Sequence, residues 1–322
     1  MNTTGTSLAV LQTLDGYRRY FLSTILWEPH LKVVCNKHGW DCGEIDPGKA
    51  GTFPTFLVDG NRVIKFFGPL FTGETCWQVE SETASLLSSF PYVSIPKILA
   101  SGELEGEPGW HYLVFETIPG VSIAEVFDKL AFEEKLDLVR WLGDWLPELH
   151  RQKPPEGSSV PKLSKRLVQG WFANRWKVDS ARWPPHLALQ MEEYLQRQVD
   201  FIQVGCDAFI HADLTQEHIF GNLSDGHWTT QAIIDFGDAK LGNIYYELAA
   251  LHLDLFGCDK CLLAAFLEAY GLPFDPDFSR KAMVTSLLHQ FDVIGYLFTW
   301  NPDLCEITSL DELETWLWKL GK

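Results

Sequence analysis

The order of apolar and polar residues divides the chain into a β-rich first part and a helical second part. Apolar and aromatic residues recur at helical spacing over residues 8–32, which predicts a helical cover at the start. Two apolar runs, 51–58 and 62–67, flank Asp59-Gly-Asn61, a sequence typical of a hairpin turn. The pattern continues with a predicted helix at 76–89 and predicted strands at 94–100 and 111–115. We therefore expect a small antiparallel sheet in this part.

After Gly120 the periodicity is mainly helical. Predicted helical segments lie at 132–152, 163–204, 248–256, 262–270, 280–297 and 310–320. Ser122-Ile-Ala-Glu125 and Ser309-Leu-Asp-Glu312 have the form of capping boxes, which start helices. The pattern predicts an α+β chain of two lobes, with residues 1–119 forming a sheet-rich lobe and residues 120–322 a helical one.

The second part contains a polar segment, a turn and a short apolar β-run that ends on an acidic residue. His211-Ala-Asp213-Leu-Thr-Gln-Glu-His218 leads into a turn at 221–226, and the apolar run after it ends on Asp235, 22 residues beyond Asp213. Phosphoryl transfer uses such a pair of carboxylates, one to take a proton from the attacking hydroxyl and one to hold Mg²⁺. Either aspartate alone is more simply a turn residue. The accompanying histidines make the joint pattern specific.

This motif, with Ile-Ile-Asp235-Phe-Gly after it, resembles the catalytic core of the aminoglycoside phosphotransferase family, small-molecule kinases with a protein-kinase-like fold. The resemblance implies that Asp213 is the catalytic base, that His211 supports the catalytic loop, and that Asp235 and His218 bind Mg²⁺. The family usually has glycine where this chain has Ala212 and asparagine where it has His218. Because Mn²⁺ accepts a nitrogen ligand more readily than Mg²⁺ does, Mn²⁺ is a second candidate metal.

The same resemblance assigns ATP contacts to the first hairpin. Gly51 and Thr52 would lie over the triphosphate, and Lys65 on the second strand would reach the α and β phosphates. The aligned helix makes Glu82 the carboxylate partner of Lys65 and Glu80 its solvated neighbour. In the alternative interpretation, both glutamates are surface charges of the helix.

The segment after residue 115 resembles the hinge of the family, where the carbonyl of Glu116 and the N–H of Ile118 would bind the adenine edge. Further on, Gly242-Asn-Ile-Tyr-Tyr-Glu247-Leu-Ala matches a family segment with glutamate in place of aspartate. The implied role of Glu247 is to steady the catalytic loop.

The acceptor pocket is less defined by the sequence. In relatives the block 163–204 helps to shape this pocket, and its tryptophans either stack on a sugar or, as we favour, fill the core: Trp171, Trp176 and Trp183. Six acidic residues in or near the last helices are candidates to face the acceptor: Asp254, Asp259, Asp275, Asp277, Asp303 and Glu306.

Charge narrows the choice of partners. The chain has 26 basic and 43 acidic residues, a net charge of −17, which disfavours nucleic acid and anionic membranes and suits a cationic ligand. Solubility alone explains the charge nearly as well. No signal peptide and no apolar run of about 20 residues is evident, and seven cysteines fit reduced thiols. We therefore expect a cytoplasmic protein, of unspecified oligomeric state.

The sequence leads to the hypothesis of an ATP-dependent phosphotransferase that acts on a hydroxyl of a small molecule, such as an aminoglycoside or another cationic sugar-like compound. The alternative is a nucleotide-binding pseudokinase with a regulatory or interaction role, because His218 is a poorer Mg²⁺ ligand than an amide oxygen. A protein kinase is disfavoured, since the arginine of the H-R-D motif and an A-P-E segment are missing.

Overall fold

The computed structural model describes residues 7–49, 51–90, 93–273 and 275–321, which form two compact units. The first unit runs to Gly120 and also includes Gly157–Ser159 and Ala232–Asp238. The second unit consists of Val121–Glu156, Val160–Gln231 and the chain from Ala239 onwards. Helices and antiparallel strands occur together, so the predicted α+β class is confirmed.

The first unit is built on a five-stranded antiparallel sheet with the order β1-β2-β3-β5-β4. The strands are β1 (Ile45–Pro47), β2 (Thr55–Val58), β3 (Arg62–Phe67), β4 (Ile98–Glu103) and β5 (His111–Glu116). β2 and β3 form the predicted hairpin, in which Thr55 pairs with Lys65. Its turn places Asp59 and Gly60 at φ 52° and 66°, in the left-handed region that Asp and Gly tolerate best.

Three helices accompany this sheet: α1 (Leu14–Tyr20), α2 (Thr24–Lys37) and α3 (Gly73–Leu86). The helical cover predicted over 8–32 forms as three separate helical segments, because side-chain caps at Thr13 and Ser23 start α1 and α2 separately after a 3₁₀ turn at Leu8–Gln12. The core lies between α2 and the sheet. There the Trp27 ring stacks on Phe66 with centroids 4.4 Å apart and meets Trp110 edge-on.

The second unit contains two small sheets. β7 (Ala208–Ile210) pairs with β10 (Lys240–Gly242), and β6 (Val121–Ser122), β8 (Ile219–Ser224) and β9 (His227–Ile233) form the other sheet in the order β6-β8-β9. The last two residues of β9 count with the first unit. β8 and β9 form a hairpin after the predicted catalytic motif. Its turn is shorter than the one predicted at 221–226, because residues 221–224 belong to β8 and only Asp225 and Gly226, at φ 52° and 84°, lie between the strands.

Helices make up most of the second unit. They are α4 (Phe132–His150), α5 (Lys165–Asp179), α6 (Pro185–Ala188), α7 (Met191–Arg197), α8 (Ile244–Ala250), α9 (Lys260–Tyr270), α10 (Phe278–Leu287), α11 (Val293–Trp300) and α12 (Leu310–Trp318). α4 and α9 cross closely at Gly143, where an added Cβ would lie 2.6 Å from the Ala269 Cβ. A bulkier residue at position 143 would therefore force these helices apart.

Two helix predictions differ from the structure. The predicted helix 280–297 is interrupted at 288–292, because the Asp292 side chain accepts the Gly295 N–H and starts α11 anew. The capping box at 122–125 does not form, since the Ser122 hydroxyl donates to Glu217 instead. Ser309 does cap α12, as predicted, by accepting the Glu312 N–H.

Within the described ranges, no helix combines the length and the apolar character that a membrane span requires.

Candidate active site

A buried lysine between two carboxylates is the centre of the site in the first unit. Lys65 Nζ donates to Glu80 Oε2 and to Asp235 Oδ1, both at 2.8 Å. Lys65 comes from β3, Glu80 from α3, and Asp235 from the segment after β9. Gly237 leaves room for this arrangement, since a Cβ there would lie 3.2 Å from Glu80 Oε2. The sequence motif thus brings Asp235 to the predicted phosphate-binding lysine.

The predicted pairing of Lys65 with Glu82 is wrong, and Glu80 takes that place. Two successive turns of α3 bury Cys76, Val79, Glu80 and Thr83, which recur at the i, i+3, i+4, i+7 spacing of one helix face. Glu82, two residues on, points away from that face. Its Oε2 accepts the Ser158 hydroxyl at 2.5 Å and the Ser159 N–H at 2.8 Å. The apolar spacing of α3 was the signal that identifies Glu80.

The electrostatics of the triad favour a charged lysine. Burial alone would lower the pKa of Lys65, which is 6% exposed, but the neighbouring Asp235 and Glu80 outweigh it and raise that pKa. Burial also raises the pKa of the Glu80 carboxyl, against the opposing effect of the Lys65 ammonium. A permanent positive charge held by two carboxylates is suited to binding phosphate oxygens.

The loop before β2 lies beside this ammonium group. The Phe53 ring centroid is 5.7 Å from Lys65 Nζ, and the Phe67 centroid is 5.2 Å from it. Gly51 and Thr52, just before Phe53, are exposed. An added Cβ at Gly51 would meet nothing within 4 Å, so the backbone does not itself require glycine there. Their contact with a triphosphate stays a prediction.

The predicted hinge follows β5. Glu116 is exposed at the end of this strand, and its N–H donates to the Lys97 carbonyl at 2.9 Å. Ile118 is half-buried two residues later. Adenine binding by the Glu116 carbonyl and the Ile118 N–H stays a prediction.

In the second unit, the predicted catalytic loop has a strained backbone at Ala212. This residue has φ 69°, a conformation that costs a non-glycine residue about 1 kcal/mol and that explains the family's usual glycine. Hydrogen bonds to both backbone groups of Ala212 offset this strain. Ala212 N donates to Glu247 Oε2 at 3.1 Å, and the Ala212 carbonyl accepts from His289 Nε2 at 3.1 Å. The half-buried Asp213 follows directly on this fixed residue.

The two histidines of the motif have defined tautomers. His218 Nδ1 lies 2.6 Å from the Asp213 carbonyl, which can only accept, so Nδ1 carries the proton and the lone pair is on Nε2. The buried His211 accepts the Asp213 N–H on its own Nδ1 at 3.3 Å, and its ring stacks on His218. His211 therefore supports the loop from within the core.

Two further residues fix this loop without any signal in the sequence motif. His289 accepts the Phe291 N–H on Nδ1, which leaves Nε2 as the donor to Ala212, and its ring packs on Tyr246 with centroids 4.3 Å apart. Asp254 accepts the Gln216 N–H at 2.9 Å. Both lie far along the chain from the residues they hold, so only the tertiary structure reveals them.

Glu247 gives the loop a pH-dependent support. Burial raises the pKa of its carboxyl to about 7, although the N–H groups of Ala212 and His211 lower it. An acid whose pKa is higher in the folded state than in the unfolded chain stabilises the fold at low pH, and this contribution is lost as the pH rises through the folded pKa. Glu247 should therefore favour folding below about pH 4 and cease to do so above about pH 7.

We expect the free energy of unfolding of the wild type, relative to that of Glu247→Gln, to fall by at most about 3 kcal/mol between about pH 4 and about pH 8. The glutamine keeps a carbonyl oxygen for the Ala212 N–H but does not titrate. Urea unfolding at a series of pH values measures the difference. Parallel pH profiles for the two proteins would contradict a titrating Glu247.

The predicted metal ligands differ in their surroundings. The Asp235 side chain is 38% exposed and offers oxygen, the ligand that Mg²⁺ prefers. His218 donates its Nδ1 proton to a backbone carbonyl, as metal-binding histidines commonly do. The chemistry of both donors fits a divalent cation. Within the part of the chain that the structure describes, no three His, Cys, Asp or Glu side chains are grouped to hold a metal ion.

Several acceptor-site candidates have structural contacts instead. Asp254 holds Gln216, Asp259 caps α9 by accepting two N–H groups, and Asp275 accepts from Tyr245 and Lys281 at 2.6 Å. Trp183 is buried and donates to Asp292, so its predicted place in the core is confirmed. Trp171 is half-buried, with the Lys240 ammonium 5.4 Å from its ring centroid.

Solved structures with a similar fold include aminoglycoside phosphotransferases. The GDP complex of aminoglycoside 2′-phosphotransferase-IIIa matches with a TM-score of 0.67 and 17% identity over 91% of this chain and 97% of that chain. The streptomycin–ATP–APH(2″)-IIa ternary complex has a TM-score of 0.55 and 18% identity over 88% and 90% of the two chains. At these identities the matches show the fold, and the predicted protein-kinase-like fold is confirmed.

The sequence is also similar to a curated protein and to a family model. Lysine-specific demethylase JMJ21 of Arabidopsis thaliana is 25% identical over 309 positions, which cover 74% of this chain and 33% of that protein. The chain thus spans about a third of the length of that curated relative. A model of the phosphotransferase enzyme family (APH) matches residues 78–282. Because this match covers well over half of the 322 residues, the chain belongs to the phosphotransferase enzyme family.

Proposed function

We propose that this protein transfers the γ-phosphoryl group of ATP to a hydroxyl group of a small molecule. The observation that carries the proposal is the buried Lys65, bonded at 2.8 Å to both Glu80 and Asp235. Burying a lysine with two carboxylates in a protein core is unfavourable, because the charged groups lose their hydration. A site that binds a polyphosphate gives such an arrangement a use.

In the proposed reaction, the acceptor oxygen attacks the γ-phosphorus of ATP while its proton passes to the Asp213 carboxylate. The bond between the γ-phosphorus and the β–γ bridging oxygen breaks, which releases ADP, and the phosphoryl group stays on the acceptor. Lys65 holds the phosphates by charge. Asp213 is half-buried in a loop whose backbone is fixed at Ala212, which keeps the carboxylate in a defined position.

Asp235 and His218 are the residues that would hold Mg²⁺, whose charge would offset that of the phosphate oxygens. The oxygen of Asp235 suits Mg²⁺, while the nitrogen of His218 suits Mn²⁺ better. If His218 is a ligand, transfer should be faster with Mn²⁺ than with Mg²⁺. His218→Asn, which restores the usual residue of the family, should shift the preference back to Mg²⁺.

We propose further that the acceptor carries positive charge. The net charge of −17 supports this, because it attracts a cation over a distance of several ångströms. Streptomycin, which is present in one of the similar structures, is a compound of that kind. The proposal predicts that amino sugars are better acceptors than neutral sugars and that added salt narrows the difference.

A transfer screen tests the function directly. Purified protein is incubated with ATP or GTP, with Mg²⁺ or Mn²⁺, and with a panel of cationic and neutral hydroxyl compounds, and the products are followed by phosphorus NMR. A phosphate monoester formed on at least one acceptor is the expected result.

The alternative, a pseudokinase, is suggested by His218, whose contacts to Asp213 and Thr215 also suit a structural role.

Calorimetric titration separates the two functions. The kinase predicts nucleotide binding that depends on the divalent metal. A pseudokinase predicts metal-independent binding and no transfer by either the wild type or His218→Asn. That second outcome would overturn the kinase assignment.

A further inference from the structure

Residues before the first strand have no role in the family motif, yet one of them contacts the predicted phosphate loop. The Tyr17 hydroxyl, on α1, donates to the Thr52 carbonyl at 2.6 Å. The Tyr17 ring is buried, stacks on Phe21 with centroids 5.7 Å apart, and meets the Phe71 ring edge-on at 5.2 Å. The ring of Tyr17 is therefore held in the core, while its hydroxyl contacts the backbone of an exposed loop.

The residue after Thr52 connects the loop to the lysine. The Phe53 ring is buried beside Lys65 Nζ and packs on Phe67 with centroids 4.9 Å apart. Burial raises the pKa of the Tyr17 phenol, and the positive charge of Lys65 acts in the opposite direction. Helix α1 thus contacts the loop through Tyr17, and the loop contacts Lys65 of β3 through Phe53.

We propose that Tyr17 is a positioning residue that fixes the loop at residues 51–53 beside Lys65 and so determines the affinity for the triphosphate of ATP. This inference rests on the proposed function, since it takes the loop to cover the phosphates. It gives the N-terminal helix a role in nucleotide binding that no residue of the catalytic motif supplies.

The chemistry of the contact suits a permanent tether. Burial raises the pKa of the Tyr17 hydroxyl, although Lys65 opposes the rise, so the group stays a protonated donor at neutral pH. Thr52 is exposed, and water can replace the hydroxyl if it is removed. Tyr17→Phe should therefore free the loop without leaving a buried polar group unpaired, and the fold should persist.

The test compares Tyr17→Phe with Tyr20→Phe, which removes a hydroxyl from a half-buried tyrosine on the same helix. Calorimetry with ATP should show binding weakened about five- to tenfold in Tyr17→Phe, as expected for one lost hydrogen bond. Adenosine, which lacks the phosphates, should bind equally to both variants and to the wild type. The KM for ATP should rise, while the KM for the acceptor stays the same.

Hydrogen exchange gives a readout that needs no nucleotide. The amides of residues 51–53 should exchange faster in Tyr17→Phe than in the wild type or in Tyr20→Phe. Unchanged exchange, equal ATP affinity in all three proteins, or an equal loss of adenosine binding would overturn the inference. A wild type that binds no ATP would instead overturn the proposed function, and with it the role in affinity.

Discussion

Asp213→Asn is expected to lower turnover by about 10²- to 10⁴-fold while the affinity for ATP changes little. The asparagine amide cannot take the proton of the acceptor hydroxyl, which removes general-base catalysis. The geometry of the loop should survive, because Glu247, His289 and His218 hold its backbone through Ala212 and the Asp213 carbonyl. Steady-state kinetics on an acceptor found in the transfer screen, together with calorimetry for ATP, measures both quantities.

A matched control exists on the neighbouring hairpin. Asp225→Asn makes the same chemical change at an exposed turn residue, also with positive φ, and should leave turnover unaltered. Near-wild-type transfer by Asp213→Asn would show that another group takes the proton. A loss of ATP binding in this variant would place Asp213 at the nucleotide instead of the acceptor.

Lys65→Met should weaken ATP binding and slow transfer by at least about 100-fold, because it removes the buried positive charge and fills the same space with apolar atoms. Glu80→Gln should act in the same direction with a smaller effect, since the amide can still accept a hydrogen bond from Lys65 but attracts it less. The double variant should be less than additive, as expected for two residues that work as a pair. Transfer kinetics and ATP calorimetry on the three variants measure these effects.

Glu82→Gln on the same helix is the control for this prediction. Its carboxylate contacts Ser158 and Ser159, not Lys65, so the change should leave ATP binding close to that of the wild type. Loss of ATP binding in Glu82→Gln, or strictly additive effects of Lys65→Met and Glu80→Gln, would contradict the pairing. Thermal melts of each variant distinguish a lost contact with ATP from general unfolding.

Local patterns were sufficient for much of the fold. The hairpin at 51–67 has two largely apolar runs around an Asp-Gly turn, and it forms as predicted. Ser309 caps α12 because the cap depends only on residues within one turn. Alignment with the family motif predicts Glu82 as the partner of Lys65, whereas the structure pairs Lys65 with Glu80. The burial spacing of α3, which is also local, decides it correctly.

Other features depend on contacts that no local pattern contains. His289 holds a residue 77 positions earlier, and Tyr17 holds one 35 positions later. The break at 288–292 follows from the Asp292 cap, in a segment whose apolar periodicity alone predicts one helix. Ala212 stands where the family usually has glycine, and the sequence alone does not show the backbone conformation at this position. Its left-handed backbone shows that the residue is strained and is held in place by its two buried partners.

The first unit consists of three separate chain segments, and this restricts which recombination events between related proteins preserve the site. Lys65 and Glu80 lie before Gly120, but Asp235 belongs to the inserted segment Ala232–Asp238, and the serines that bind Glu82 belong to Gly157–Ser159. A recombination junction at Gly120 would therefore transfer the lysine without its second carboxylate. Productive shuffling among relatives needs matched residues in all three segments, so these segments should be inherited together.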